Sequence, residues 1–189
     1  MSTNIGIYYS EAFGSRYLPK EKWWRENTDS GIKLNFGLQD GDPDKGYDTV
    51  LDSSLPNALC VGIPGSGKAP LVNQMVASLV TRYSPTALSL VMVDFKDAEF
   101  CAFADKTTHQ SRIPHASFIA GTKDGSVSIP LLNGLMDEMS RRLALFVAED
   151  VQGIESYNKK MRKAKTSQKC LPRILVVLDE FQVMFEDTS

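Results

Sequence analysis

The residues with the strongest chemical signature run from Gly62 to Pro70, GIPGSGKAP, between an apolar run at Ala58 to Val61 and a helical pattern that begins at Lys68. A polyphosphate packs several negative charges into a small volume. A site for one therefore needs backbone N–H groups pointing inward at a helix N-terminus. Gly62, Gly65 and Gly67 let the chain curl that tightly, with Ile63, Pro64 and Ser66 between them, and Lys68 offers a compact point charge to the β and γ phosphates. Glycine spacing, lysine and strand-to-helix context together predict a phosphate-binding loop. A dinucleotide fingerprint is disfavoured, because GxGxxG would require glycine where Pro70 stands.

One position departs from the pattern. The residue after the lysine is ordinarily Ser or Thr, whose hydroxyl ligates Mg²⁺, and here it is Ala69. The loop can still hold phosphates, but Mg²⁺ would rest on nucleotide, water and a carboxylate elsewhere, which impairs hydrolysis more than binding. Pro70 falls in the first helical turn, where an N–H has no intrahelical partner and proline is tolerated.

The second chemical feature is ILVVLDEF, Ile174 to Phe181, an apolar strand that delivers Asp179 and Glu180 at its C-terminal end. In open α/β sheets that edge is where ligands bind. Asp179 suits a water-mediated Mg²⁺ partner, and Glu180 a base that orients or deprotonates an attacking water. Asp94, which ends the run LSLVMVDF, is expected at the same edge, either in contact with the site or as a plain strand-end aspartate. Arg141 and Arg142 are adjacent on a helical pattern and so point about 100° apart. Ordinary surface charge is the favoured reading for both, with a role across a subunit interface as the alternative.

The elements that must position these groups are legible from periodicity. From residue 55 onward, apolar runs at Ala58 to Val61, Leu88 to Phe95, Ser117 to Ala120 and Ile174 to Leu178 read as strands. They alternate with helical patterns over Lys68 to Tyr83, over Leu132 to Val147, and over Ile154 to Lys165 with a basic outer face. This alternation predicts an α/β domain over residues 55–189 with a largely parallel sheet covered on both faces. Residues 1–54, rich in aromatic and turn residues, read as a flanking segment with one or two strands, the clearest being the alternation Ile32, Leu34, Phe36, Leu38.

Composition sets outer bounds. With 189 residues, 42% of them hydrophobic, the chain can bury a core. Its apolar runs are too short to cross a bilayer and its N-terminus has no basic-then-apolar leader, so a cytoplasmic location with no membrane insertion is expected. Cys60, Cys101 and Cys170 form no metal-ligand cluster and are expected as reduced, mostly buried thiols, with His109 and His115 in structural roles. A net charge of −2 gives no global attraction to nucleic acid. The densest basic stretch is Lys159, Lys160, Arg162, Lys163, Lys165 and Lys169, for which a solvated face is the favoured reading.

The motifs in their order along the chain resemble the motor domain of the FtsK/SpoIIIE-type translocases. They are the pair Trp23 and Trp24, GIPGSGK, VDFKDAEF (93–100), IPH (113–115), EMSRRLALF (138–146), GIESYN (153–158) and PRILVVLDEFQ (172–182). The resemblance implies a RecA-like P-loop core with a mostly parallel sheet flanked by helices. It also implies ATP and Mg²⁺ as cofactors, a hexameric ring as the working assembly, and double-stranded DNA moved by ATP hydrolysis. By position it gives Lys68 a phosphate role, Asp179 the metal and Glu180 catalysis. Family motors continue beyond the acidic pair, whereas only FQVMFEDTS follows Glu180, so a core incomplete at its C-terminus is expected. Two other readings stay open: a degenerate nucleotide-binding module without turnover, and the ATPase of a type VII-like protein secretion system.

Overall fold

The alternation at Ile32, Leu34 and Phe36 does produce a strand, in the first of two units. The fold is taken from a computed structural model that describes residues 23–38, 46–96, 100, 103–104, 111–123, 125–166 and 169–185. Cys101, His109 and the aromatic residues Tyr8 to Tyr17 lie outside the described residues. Two compact units divide the chain, Met1–Leu88 and Ser89–Ser189.

In the first unit, strand β1 (Ile32–Leu38) pairs antiparallel with β2 (Gly46–Leu51), with Ile32 opposite Leu51 and Leu34 opposite Thr49. Ile32, Leu34 and Leu51 are buried. The register shifts between Asn35 and Leu38, and Phe36, within that shift, is exposed. Helix α1 (Lys68–Arg82) buries Val76, Leu79 and Val80 and stops at Tyr83, which is extended one residue before the Ser84-Pro85 pair. The tryptophan segment is tied to the end of this helix. Trp24 Nε1 donates to the Val80 carbonyl at 3.0 Å, Thr28 Oγ1 to that of Ala87 at 2.9 Å, and the Lys33 N–H to Tyr83 Oη at 3.0 Å.

Ala58 to Val61, expected as a strand, is not one. Residues 56–63 have no regular secondary structure, and Leu59, Val61 and Ile63 are 71%, 84% and 79% exposed. An apolar run becomes a strand only when a neighbour pairs its N–H and C=O groups, and none of the described residues does so here. Cys60 shares this exposure, against the expectation of a buried thiol.

The second unit is built on a three-stranded parallel sheet, ordered β4 (Ala116–Gly121), β3 (Leu88–Asp94), β5 (Arg173–Asp179). Its central strand is buried along almost its whole length, whereas β4 and β5 are only partly covered. Cover on both faces, as expected for a continuous apolar run, is therefore met by β3 alone.

Helix α2 (Ser128–Ala148) has the periodicity predicted for it but not the burial. Leu131, Leu135, Leu145 and Phe146 are half-buried, while Ile129, Leu132, Met136, Met139, Leu143 and Val147 form a stripe between 47% and 81% exposed. Helical spacing identifies an apolar stripe; it does not say what covers it. Helix α3 (Ile154–Lys163) buries Tyr157 and Met161 against Leu171, with Leu145, Phe146, Val151 and Ile154 around them. Asn158 locks this cluster by bonding both backbone groups of Leu171 at 2.8 Å, donating through Nδ2 to the carbonyl and accepting the N–H at Oδ1.

Candidate functional site

In the first unit, Gly62 to Pro70 forms a tight loop that runs directly into α1. Gly65 (φ 80°) and Gly67 (φ 91°) occupy left-handed conformations that a side chain would resist, and a side chain at either position would meet no neighbouring atom. The two positive-φ residues are thus required by how the chain turns. Gly62 differs: a Cβ there would collide with Ser66 Oγ, so its bareness lets the loop close on itself. The Ser66 N–H bonds the Ile63 carbonyl at 3.0 Å, and Leu71 N–H to Gly67 carbonyl at 3.1 Å is the first full helical bond.

Gly67 is the N-cap, with no side-chain cap and no acidic residue in the first turn. No residue of the first turn thus supplies a carboxylate to the N-terminal N–H groups and the positive end of the helix dipole. Gly62, Ile63, Pro64, Gly65, Ser66 and Gly67 are exposed, with Lys68 and Ala69 half-buried behind them and Pro70 exposed in the first turn. An exposed glycine loop at an acid-free helix N-terminus is suited to an anion of several charges.

In the second unit, Asp94 and Asp179 end the adjacent strands β3 and β5, the edge expected for both. Each is buried, at 1% and 8% exposure. The Lys96 N–H donates to Asp94 Oδ1 at 2.7 Å and the Glu180 N–H to Asp179 Oδ1 at 3.0 Å, so each carboxylate is oriented by the chain that leaves its strand. The Phe95 N–H to the Asp179 carbonyl, at 3.2 Å, holds the two strand ends together.

Glu180 has a left-handed backbone (φ 53°), rare for a residue with a side chain. Its carboxylate receives Lys96 Nζ on Oε1 at 2.6 Å and Gln182 Nε2 on Oε2 at 2.5 Å. Neither donor is evident as a site residue from the sequence alone. The available signal was their position in the DFK and DEFQ motifs, but only the fold shows that residues 84 apart meet.

Arg141 is exposed, as expected of surface charge, whereas Arg142 is half-buried. Although about 100° apart around the helix, both reach Glu138, which lies three residues from one and four from the other. Arg141 grips both Glu138 oxygens, at 2.6 and 2.8 Å, and Arg142 takes Oε1 at 2.7 Å while its Nη1 donates to the Pro172 carbonyl at 2.7 Å. The Arg141 hydrogen bonds, joined by those of Arg142, hold the Glu138 carboxyl down at about 2. Arg142 thus fastens α2 to the start of β5.

Among the described residues no group of three or more His, Cys, Asp or Glu side chains is arranged to hold a metal ion. The buried Asp179 carboxylate at the end of β5 is a hard oxygen donor of the kind Mg²⁺ takes alongside phosphate and water oxygens. No helix among the described residues is long and apolar enough to cross a membrane.

The comparisons with known proteins agree with this architecture. Residues 17–187 match the FtsK/SpoIIIE family. The chain is 37% identical over 128 residues to the DNA translocase FtsK of Clostridium tetani, covering 68% of this chain and 16% of that protein. It is 34% identical over 151 residues to the DNA translocase FtsK of Borreliella burgdorferi, covering 79% and 18%. The chain thus spans less than a fifth of the length of these relatives. Among solved structures, the cytoplasmic domain of the Thermomonospora curvata type VII secretion ATPase EccC superposes with a TM-score of 0.66 at 24% identity, covering 96% of this chain and 21% of that one. The pCW3 conjugation coupling protein TcpA, in its monomer form with ATPγS, gives 0.54 at 22%, covering 88% and 41%. These two likenesses concern the fold, which is that of P-loop ATPase domains. With its motifs in order and about nine-tenths of its residues matched, this chain belongs to the FtsK/SpoIIIE family.

Proposed function

We propose that this chain is the ATP-binding motor module of a double-stranded DNA translocase, with residues 55–189 as the nucleotide-binding part and residues 1–54 as a flanking segment. The observation that carries the reading is the loop Gly62 to Lys68. It joins two left-handed glycines to a helix N-terminus that holds no acidic residue of its own. Backbone N–H groups from Gly62, Ile63, Gly65, Gly67 and Ala69 surround the phosphates, Ser66 closes the loop through its bond to the Ile63 carbonyl, Pro64 and Pro70 stiffen the loop, and Lys68 neutralises the β and γ oxygens.

Asp179 would hold a Mg²⁺ ion, which when bound would supply positive charge to the phosphates. Glu180 orients the attacking water and accepts its proton. Its two oxygens are already engaged by Lys96 and Gln182, so its position is set before substrate arrives. The working assembly is a homo-oligomeric ring, a hexamer by family likeness, acting on DNA in the cytoplasm. Relatives above 30% identity carry the name DNA translocase, whereas the secretion ATPase is alike at 24%, which favours DNA over protein cargo.

Ala69 favours a second reading, nucleotide binding with little turnover, because no hydroxyl stands beside Lys68 for the metal. Glu180→Gln separates the two. If the chain is a working ATPase, the variant keeps wild-type affinity for a fluorescent ATP analogue and loses at least ~100-fold in Mg²⁺-dependent phosphate release. Equal phosphate release by both proteins would remove Glu180 from catalysis.

A further inference from the structure

The segment from Ile154 to Lys169 concentrates charge in a way the rest of the chain does not. It holds six of the 21 basic residues and one of the 23 acidic ones, a net +5 in a protein of net −2, so the other 173 residues carry −7. The helix dipole accounts for some of this, since Lys160, Arg162 and Lys163 fall in the last turn of α3. It does not account for Lys165 and Lys169, which lie beyond the helix, or for Lys159.

The fold fixes which way these charges face. Tyr157, Asn158 and Met161 are buried, and Asn158 is held from both sides by Leu171, so the opposite side of α3 cannot turn inward. Lys160 is occupied with Glu149, at 3.0 Å from its carboxylate and 2.6 Å from its carbonyl. Lys159, Arg162, Lys163, Lys165 and Lys169 are exposed, with Lys159, Arg162 and Lys163 at the i, i+3, i+4 spacing that puts them on one face.

Lys165 carries the argument furthest. It closes α3 in a left-handed conformation (φ 57°), its N–H bonding the Arg162 carbonyl at 3.1 Å while Thr166 N–H bonds that of Met161 at 2.9 Å. This is the helix-ending position that glycine or asparagine normally fills, because a side chain there is strained. A lysine at this place costs the fold stability and adds a charge to the patch.

We propose that this face of α3, with Lys159, Arg162, Lys163, Lys165 and Lys169, is a contact surface for the phosphate backbone of duplex DNA. The proposal rests on the reading of the chain as a DNA-translocase module. An exposed face with five cationic side chains and a single acidic one, Glu155 in the first turn, and no aromatic anchor, suits phosphates and not an acidic protein, whose docking would need apolar hot spots. A membrane surface is disfavoured too, because insertion needs an exposed apolar side and Tyr157 and Met161 are buried.

The test measures binding of the full chain to a 30-base-pair duplex between 50 and 200 mM salt. Five phosphate contacts predict a slope of log K against log salt of about −4.5, and Lys159→Gln/Arg162→Gln/Lys163→Gln should flatten it by about 2.7 and weaken binding at least ~10-fold at 50 mM. Lys165→Gly should flatten the slope by about 0.9 and raise the thermal midpoint, opposite effects that damage to the fold would not produce together. Replacement of the two lysines of this set so that charge is kept, Lys159→Arg/Lys163→Arg, should leave the slope unchanged. The proposal is overturned if the triple variant binds duplex as the parent does, if the parent fails to bind at 50 mM salt, or if poly-glutamate or anionic phospholipid vesicles bind as tightly as duplex. ATP-analogue affinity, measured on the same proteins, should be unaffected by the triple variant. Its absence in the parent would overturn the motor reading instead.

Discussion

Glu138→Gln tests the arginine pair and the pH dependence of the second unit together. The Glu138 carboxyl, ordinarily near 4.5, is held at about 2 by hydrogen bonds from Arg141 and then Arg142. Taken at face value the difference is worth at most ~3.4 kcal/mol. Water reaches the cluster, however, with the Glu138 side chain 28% and that of Arg141 54% exposed, and screening reduces this to ~1 kcal/mol. Because the folded value lies below the unfolded one, the contribution is complete above pH ~4.5 and disappears as the pH falls toward 2. At pH 7 the variant should melt about 4–8 °C below the parent for a unit of roughly 100 residues. The gap should close on acidification, since the glutamine cannot titrate. Parallel melting curves for the two proteins followed from pH 7 to pH 2.5 are the assay. A gap that stays constant over that range would refute the assignment of charge to this contact and leave only shape.

Two further perturbations follow from the same geometry. Asn158→Ala removes two hydrogen bonds and leaves the buried N–H and C=O of Leu171 unsatisfied, which should cost ~2–4 kcal/mol by urea unfolding, with Asn158→Asp intermediate; a loss under ~0.5 kcal/mol would show that water replaces the side chain. Ala69→Ser restores a hydroxyl next to Lys68 and should raise Mg²⁺-dependent phosphate release about tenfold or more without tightening analogue binding in the absence of metal. No gain in release would mean that the missing hydroxyl does not limit turnover.

Local chemistry was more legible in the sequence than burial was. The glycines at 65 and 67, the helix from Lys68, and β3 and β5 with aspartates at their ends could be read because each depends on residues close together in the chain. The coil at Ala58 to Val61 could not, since a strand exists only with a partner and no local pattern names one. Helix α2 shows the same limit: its apolar periodicity is plain, but six of the ten apolar residues named on it face solvent. Convergence was hidden for a third reason. Lys96 meets Glu180 across 84 residues, and two arginines share Glu138 because side-chain length overcomes their different directions on the helix.

The central claim, that Gly62 to Lys68 binds the phosphates of ATP, is tested most directly by titrating the full chain and Lys68→Ala with a fluorescent ATP analogue, using ADP as competitor. The claim predicts saturable binding to the parent that ADP displaces, and affinity at least ~10- to 100-fold weaker once the charged partner of the phosphates is gone. Equal affinity of the two proteins for the analogue would contradict it.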